Sequence, residues 1–286
     1  MAHYRSVGDV PRKRHTQHRR PDGGLYYEEL MGEEGFSSDS TLLYHRDIPS
    51  AIVDARPWTL PDHRTMPNAP LLPRHLRLHA LFPDESWRGC DVVNGRRLLL
   101  ANGDVRISYA VAGTASPLYR NAIGDECVYV ESGAAVVETQ FGPLPVAQGD
   151  YVILPRATTH RWVPVGDEPL RVYAIEASGH VAPPKRYLSR YGQLLEHAPY
   201  CERDLRTPGE PVLGEGVPAT TYEIRTSPLA SSSRRPLTAS QPRHESSGNS
   251  ACSRRCRGSK GALGIVRWSG SVQGRASTIA DGMSRW

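Results

Sequence analysis

Between residues 94 and 177 the chain is dominated by short runs in which apolar and polar positions alternate. In DVRISYAVA, Val105, Ile107, Tyr109 and Val111 alternate with Arg106, Ser108 and Ala110, the period of two expected of a pleated strand. ECVYV (126–130), AAVVET (134–139), YVILP (151–155) and LRVYAIEA (170–177) read the same way, with turns at ESG (131–133) and QGD (148–150). Short strands so closely spaced predict an antiparallel sandwich or barrel. Two helices are predicted beside them. One is a short candidate at 26–31, and the other spans 185–197, where Tyr187, Tyr191, Leu194 and Leu195 share a face. Residues 1–60 are rich in Pro, Gly, Arg and His and predict extended arms and short strands pinned by tertiary or subunit contacts. No internal repeat is present.

Near Thr226 the pattern changes. The text becomes SPLASSSRRPLTASQPRHESSGNSACSRRCRGSKG and stays irregular to Trp286. Residues 227–286 carry nine Arg and Lys260 against Glu245 and Asp281, a net of +8. The whole chain is +5, so residues 1–226 sum to −3. The basic character therefore belongs to the tail, and the body gives no hint of a nucleic-acid or anionic-membrane partner. A body of this length buries about 70% of its unfolded surface and needs no disulfide staples. Cys90, Cys127, Cys201, Cys252 and Cys256 are sparse and unpaired in pattern, which suits a reducing compartment. The opening MAHYRSVGDVPRKRH has no apolar run of the signal-peptide kind, and no stretch approaches the ~18 apolar residues of a membrane span. The expectation is a soluble cytoplasmic chain in two parts: a folded domain at 1–226 and a disordered Ser/Arg-rich tail at 227–286.

The candidate chemistry lies in GDYVILPRATTH. Gly149 and Asp150 make a tight turn, Pro155 ends a strand, and His160 returns to the interior. This spacing resembles the second half of a cupin, a small jelly-roll barrel that often holds a metal. In metal-binding cupins the first half supplies two His one residue apart and then a Glu, and the second half supplies a third His. Imidazoles with one carboxylate leave open positions on Fe(II) for substrate and oxygen. Here the first half reads PLYRNAIGDECVYV. Aligned on Glu126, the two His positions hold Tyr119 and Asn121, so only Glu126 and His160 remain. These two are expected to hydrogen-bond within a barrel that serves as scaffold. No catalytic, cofactor-binding or metal-ligating residue is assigned.

Other candidates read as structural. Arg74, His75, Arg77 and His79 could place an i, i+4 His pair on a helix, but they read as a solvated basic edge, because no third ligand lies nearby. Asp125 and Glu126 are adjacent on a strand and point to opposite faces, so they cannot share a proton. Cys127 lies among apolar residues and reads as a packed thiol. No GxGxxG, Walker, GxSxG or HExxH motif occurs.

Longer strings carry a more specific resemblance. KRHTQHRRPDGGLYYEELMGEEGFSSDSTLLYHRDIPSAI, YGQLLEHAPYCERDLRTP (191–208) and RNAIGDECVYVESGAAVVETQFGPLPVAQGDYVILPRATTHRW are similar to the bacterial homogentisate 1,2-dioxygenase family, from about Tyr4 to Thr226. The resemblance implies an enzyme of tyrosine and phenylalanine catabolism that opens the ring of homogentisate with O₂, giving maleylacetoacetate. It also implies two barrel-like halves assembled as trimers or hexamers. The N-terminal half would be scaffold and interface, and the C-terminal half would hold Fe(II) through two His and a Glu. Those ligands find no counterpart here, since His244 and Glu245 are the only His and Glu after Thr226. No turnover and no tightly bound iron are therefore expected of this chain. A barrel lacking its other half is also expected to expose apolar surface and to associate or aggregate.

Three readings of the tail remain open. An out-of-frame translation of a GC-rich gene fits the abrupt switch. A disordered segment binding nucleic acid through spaced Arg is disfavoured, because Trp268 and Trp286 stand alone for base stacking. A zinc half-site at Cys252 and Cys256 lacks a second ligand pair. The alternative to the dioxygenase family is thus a catalytically dead oligomerisation scaffold, with a nucleic-acid-binding protein third.

Overall fold

The computed structural model describes residues 6–7, 19, 22–32, 40–45, 54–57, 64–82, 86–122, 124–208, 221–227, 237–242, 251–252 and 264–267. Its centre is a two-sheet β-barrel. One sheet runs, in spatial order, through Asp150–Leu154, Asp125–Ser132, Leu170–Ala177, Val105–Ala112 and Arg97–Ala101. The other runs through Gly142–Ala147, Ala134–Thr139, His160–Val165 and Leu118–Asn121. The strands that the alternating pattern predicts are all present. Between the sheets pack Val128, Val130, Val137, Leu144, Val152, Leu154, Trp162, Leu170 and Val172 with small Ala110, Ala112 and Ala174.

Strand Val105–Ala112 shows how one alternation serves two layers. Its small residues Ala110 and Ala112 face the crowded interior. Tyr109 and Val111 face outward and are covered by Leu78, Phe82 and Trp87. The helix beneath that cover is a single turn, Leu78–Leu81. His79 lies on it and His75 precedes it, so the two do not form a helical pair. The side chain of His79 is 67% exposed beside Glu131 at 3.5 Å, as a solvated edge should be. Across the same sheet Tyr151, Tyr129, Tyr173 and Tyr109 lie opposite one another on neighbouring strands. Their rings stand 4.7, 6.4 and 4.9 Å apart, cross-strand aromatic contacts that pin the register.

Both predicted helices are absent. The segment at 26–31 belongs to strand Tyr27–Gly32, paired with Ser40–His45. Six residues are too few for a stable isolated helix, whereas the hairpin adds a full ladder and a 2.8 Å bond between His45 and Glu29. The segment at 185–197 is a 3₁₀ turn, Lys185–Tyr187, followed by a tight reversal. There Leu188 bridges Leu194, and Gly192 takes a φ of +81° that ends any helical run.

The sheets grow at their edges. Thr221–Ser227 lies parallel to Leu118–Asn121 and pairs with Leu237–Pro242, which in turn pairs with Asp54–Pro57. Gly264–Arg267 adds to Asp150–Leu154, and Ala251–Cys252 lies between Ser6–Val7 and Ser40–His45. Of the Ser/Arg-rich tail the described residues comprise three short strands, Leu237–Pro242, Ala251–Cys252 and Gly264–Arg267. Its remainder, including Cys256 and Trp268, lies outside the described residues. Among the described residues no helix is long and apolar enough to cross a membrane.

Two glycines are required by geometry. Gly133 turns at φ +79° with its Cα against the Pro169 carbonyl, which an added Cβ would meet at 2.8 Å. At Gly124 a Cβ would fall 1.7 Å from the Ala177 carbonyl oxygen. Gly124→Ala is therefore expected to lower stability by about 3 kcal/mol, because backbone rather than a flexible side chain must shift. Urea denaturation measures this, and an unchanged midpoint would show that the backbone at Gly124 is free to move.

Candidate functional site

One end of the barrel interior is polar. Strand pairing brings it together: Glu126 is the second residue of its strand and lies opposite Glu176, near the end of the neighbouring strand. His160 opens a strand of the facing sheet and lies opposite Tyr119. Glu126, Glu176 and His160 are 0%, 3% and 1% exposed. Two facing buried carboxylates would repel, and Arg96 resolves the conflict. Its guanidinium donates from Nη2 to Glu126 Oε2 at 2.8 Å and from Nη1 to Glu176 Oε1 at 3.0 Å. Nε donates to the Val92 carbonyl at 3.1 Å, so the fork is fixed from three sides. The Asn121 amide donates to Glu126 Oε1 at 3.1 Å, and the Tyr119 ring lies 5.4 Å from the guanidinium carbon.

The protonation states follow from these contacts. Burial alone would raise the Glu126 pKa, but the charge of Arg96 and the bonds from Arg96 and Asn121 outweigh it, so Glu126 lies below the ordinary carboxylate range. For Glu176 burial prevails. Repulsion from Glu126 adds to it, Arg96 only partly offsets it, and the pKa is raised. Burial also lowers the pKa of His160 and keeps it neutral. His160 Nδ1 donates to the Thr158 carbonyl at 3.0 Å, which assigns the tautomer and leaves Nε2 a buried acceptor without a partner among the described residues. Beside the charged Arg96, Glu126 thus holds its negative charge more readily than Glu176, and burial favours the neutral form of His160.

Each residue picked out by sequence now has its place. Tyr119, Asn121, Glu126 and His160 do converge on one end of the barrel. Glu126 and His160 each hydrogen-bond within the scaffold, though not to each other. Asp125 faces away from Glu126, accepting the Arg156 and Val181 amides at 2.8 Å each. Cys127 is buried, and burial pushes its thiol up to about 12, the behaviour of a packed thiol. Asp150 caps the Ala147 amide and binds Arg206 at 2.6 Å, tying the 191–208 segment to the barrel. Sequence reasoning missed Arg96 and Glu176. Glu176 has a signal, because it falls on the interior alternation of Val172 and Ala174, where a carboxylate needs a partner.

Whether iron fits here is decided by these bonds. The positions of two cupin His ligands hold Tyr119 and Asn121, and both oxygens of Glu126 are already engaged by Arg96 and Asn121. Among the described residues no three His, Cys, Asp or Glu stand together as a metal would require. The residues present do not fit the group.

The cupin domain family matches residues 105–176. Over 210 residues the chain is 34% identical to the "Putative dioxygenase SSO1533" of Saccharolobus solfataricus, covering 73% of this chain and 52% of that protein. The chain thus spans about half the length of the curated relative it matches. It is also similar to a crystal structure titled as a "putative mannose-6-phosphate isomerase" of Ralstonia eutropha JMP134, at 27% identity and a TM-score of 0.32 over 37% of this chain and 98% of that one. An RmlC-like cupin family protein of Methanocaldococcus jannaschii is 15% identical, with a TM-score of 0.27 over 29% and 79% of the two chains. The barrel that residues 105–176 build is a cupin domain.

Proposed function

We propose that this chain is the non-catalytic barrel half of a ring-cleaving dioxygenase of the homogentisate 1,2-dioxygenase type, acting as cytoplasmic scaffold rather than reaction centre. The observation that carries the reading is that both oxygens of Glu126 are engaged by Arg96 and Asn121, while Tyr119 and Asn121 stand at the positions of two cupin His ligands. The relative named a dioxygenase, of which the match covers 52%, supports a second half that does the chemistry. Homogentisate, O₂ and Fe(II) belong to that fuller enzyme and its trimer or hexamer. The test is oxygen uptake by the full chain with homogentisate and Fe(II). The expected rate equals that of Fe(II) alone, and sustained protein-dependent uptake would overturn the reading.

A second reading, an oligomerisation scaffold independent of any enzyme, is favoured by one feature. Residues 64–77 form neither helix nor strand, bend at Pro70 and are exposed throughout, with Met66 and Leu71 at 89% and 87% exposure and Leu72 beside them at 55%. Light scattering across a concentration series tests it. Self-association weakened by Leu71→Ser supports it, and a monomer at all concentrations opposes it.

A further inference from the structure

We propose that Asn102 is a self-modifying site of the folded chain, where the Gly103 backbone nitrogen attacks the side-chain amide and converts it to aspartate and isoaspartate. The proposal goes beyond the scaffold reading, because it concerns a covalent change in the barrel itself rather than what the chain assembles with.

The dipeptide Asn-Gly occurs twice, at Asn94–Gly95 and at Asn102–Gly103. Glycine has no Cβ to stiffen the backbone or to shield its nitrogen, so it is the residue that best lets that nitrogen reach the preceding side chain. The fold treats the two copies differently. In the first, both reacting groups are tied to Asp91. The Gly95 amide donates to the Asp91 carbonyl at 3.0 Å, and Asn94 Nδ2 donates to Asp91 Oδ2 at 2.7 Å. Gly95 is also closely packed, since an added Cβ would lie 2.6 Å from the Asp91 carbonyl oxygen. Attack there requires both bonds to break first.

The second copy is the tip of the hairpin that joins Arg97–Ala101 to Val105–Ala112. Asn102, Gly103 and Asp104 are all exposed, and a Cβ added at Gly103 would meet nothing within 4 Å. The Gly103 amide makes no hydrogen bond among the described residues. Asn102 Oδ1 accepts from the Asp104 amide at 2.8 Å and from the Val105 amide at 2.7 Å. These bonds hold the side chain turned forward over its own hairpin tip. Two donors on that oxygen also polarise the amide and stabilise the negative charge that grows there when a nucleophile adds, as an oxyanion hole does. One copy is therefore closed to attack, and the other is open and activated.

The step balances with water alone. The Gly103 amide gives its proton to hydroxide, its nitrogen bonds to Cγ, and the Cγ–Nδ2 bond breaks with release of ammonia, leaving a succinimide. Water opening the ring at Cγ gives aspartate on the original backbone, which can still accept from the Asp104 and Val105 amides. Opening at the main-chain carbonyl gives isoaspartate, whose backbone is longer by one carbon. That extension falls next to Asp104, whose carbonyl accepts the Ser178 amide at 2.8 Å, so the isoaspartate form loosens the hold on the end of Leu170–Ala177.

The experiment incubates the full chain, native and in guanidinium chloride, at neutral and mildly alkaline pH. Peptide mass spectrometry follows residues 94 and 102, and enzymatic methylation of the freed α-carboxyl counts isoaspartate. In denaturant the two dipeptides are expected to react at similar rates. In the native chain Asn102 is expected to react at least as fast as in denaturant, and faster as pH rises. Asn94 is expected to fall about tenfold or more below its rate in denaturant, because two hydrogen bonds must break first. Gly103→Ala should keep the wild-type melting temperature, since its Cβ meets open space and its φ lies outside the left-handed region, while sharply slowing the reaction at Asn102. A native Asn102 that reacts more slowly than in denaturant, equal native rates at the two sites, or an unchanged rate in Gly103→Ala overturns the proposal. None of these readouts involves oxygen or homogentisate, so failure here leaves the scaffold reading to its own test.

Discussion

Replacing Arg96 with methionine is expected to lower folding stability by about 3–5 kcal/mol. Methionine roughly fills the stem of the arginine, so the loss comes chiefly from charge and hydrogen bonds rather than from a cavity. What remains is Glu126 with one oxygen bonded to Asn121 and the other without Arg96, and Glu176 without the cation that bonds it, both sealed from water. Breaking a buried pair costs far more than the pair contributes, because one partner stays behind with its desolvation uncompensated. Against a total stability of roughly 5–15 kcal/mol, such a loss moves the urea midpoint by a third or more. The measurement is equilibrium urea unfolding in chelator, followed through the fully buried Trp162. A second variant isolates the cause. Adding Glu126→Gln and Glu176→Gln to Arg96→Met removes the stranded carboxylates and should return much of the lost stability. A loss below about 1 kcal/mol in the single variant would mean that the interior admits water, since only hydrated carboxylates tolerate the missing cation so cheaply.

The parts of this molecule legible from sequence are those governed by local period and turn chemistry. Val105–Ala112, Asp125–Ser132, Ala134–Thr139, Asp150–Leu154 and Leu170–Ala177 all alternate, and Gly133 and Gly149 mark turns that need positive φ. Gly142–Ala147 was hidden by Pro143 and Pro145. It tolerates them because it is an edge strand, where missing amides face away from any partner. His160–Val165 was masked in the same way by Pro164, which interrupts an otherwise strand-like run. The helix readings at 26–31 and 185–197 failed because apolar spacing over so few residues does not distinguish helix from hairpin, and the partner strand lies elsewhere in the chain. The site divides on the same line. Glu126 and His160 are readable from the spacing of a cupin barrel. Arg96 is not, because it lies 30 residues from Glu126 and 80 from Glu176, and only the closed barrel brings them together. NGRRLLL gives no local reason for one of its two arginines to turn inward.

Glu126→Gln and Glu176→Gln, alike in chemistry and both buried against Arg96, are expected to differ by about 2 kcal/mol or more at neutral pH. Glu126 is the ionised partner. Neutralising it leaves the buried guanidinium only Glu176, whose anion burial disfavours, so Glu126→Gln should cost several kcal/mol on the scale of a broken buried pair. Glu176 has a raised pKa because burial and repulsion from Glu126 disfavour its anion. Glutamine can still accept from Arg96 Nη1 and relieves the repulsion from Glu126, so this substitution should cost less. The pH dependence separates the two further. The folded pKa of Glu126 lies below the unfolded value of about 4.3, so its contribution is present above that value and is lost as pH falls through the folded pKa. Glu176 has the opposite sign. Its raised folded pKa makes its contribution complete below about 4.3 and lost as pH rises through the folded value. Wild-type stability should therefore decline on the alkaline side of the ordinary carboxylate range, and Glu176→Gln should flatten that decline. Glu126→Gln should instead weaken the acid limb. Urea midpoints of the three proteins across pH 4–8 decide the matter. Equal losses for both substitutions, with parallel pH profiles, would mean that Arg96 divides its charge evenly between two ionised carboxylates. The asymmetry assigned to the cluster would then be wrong.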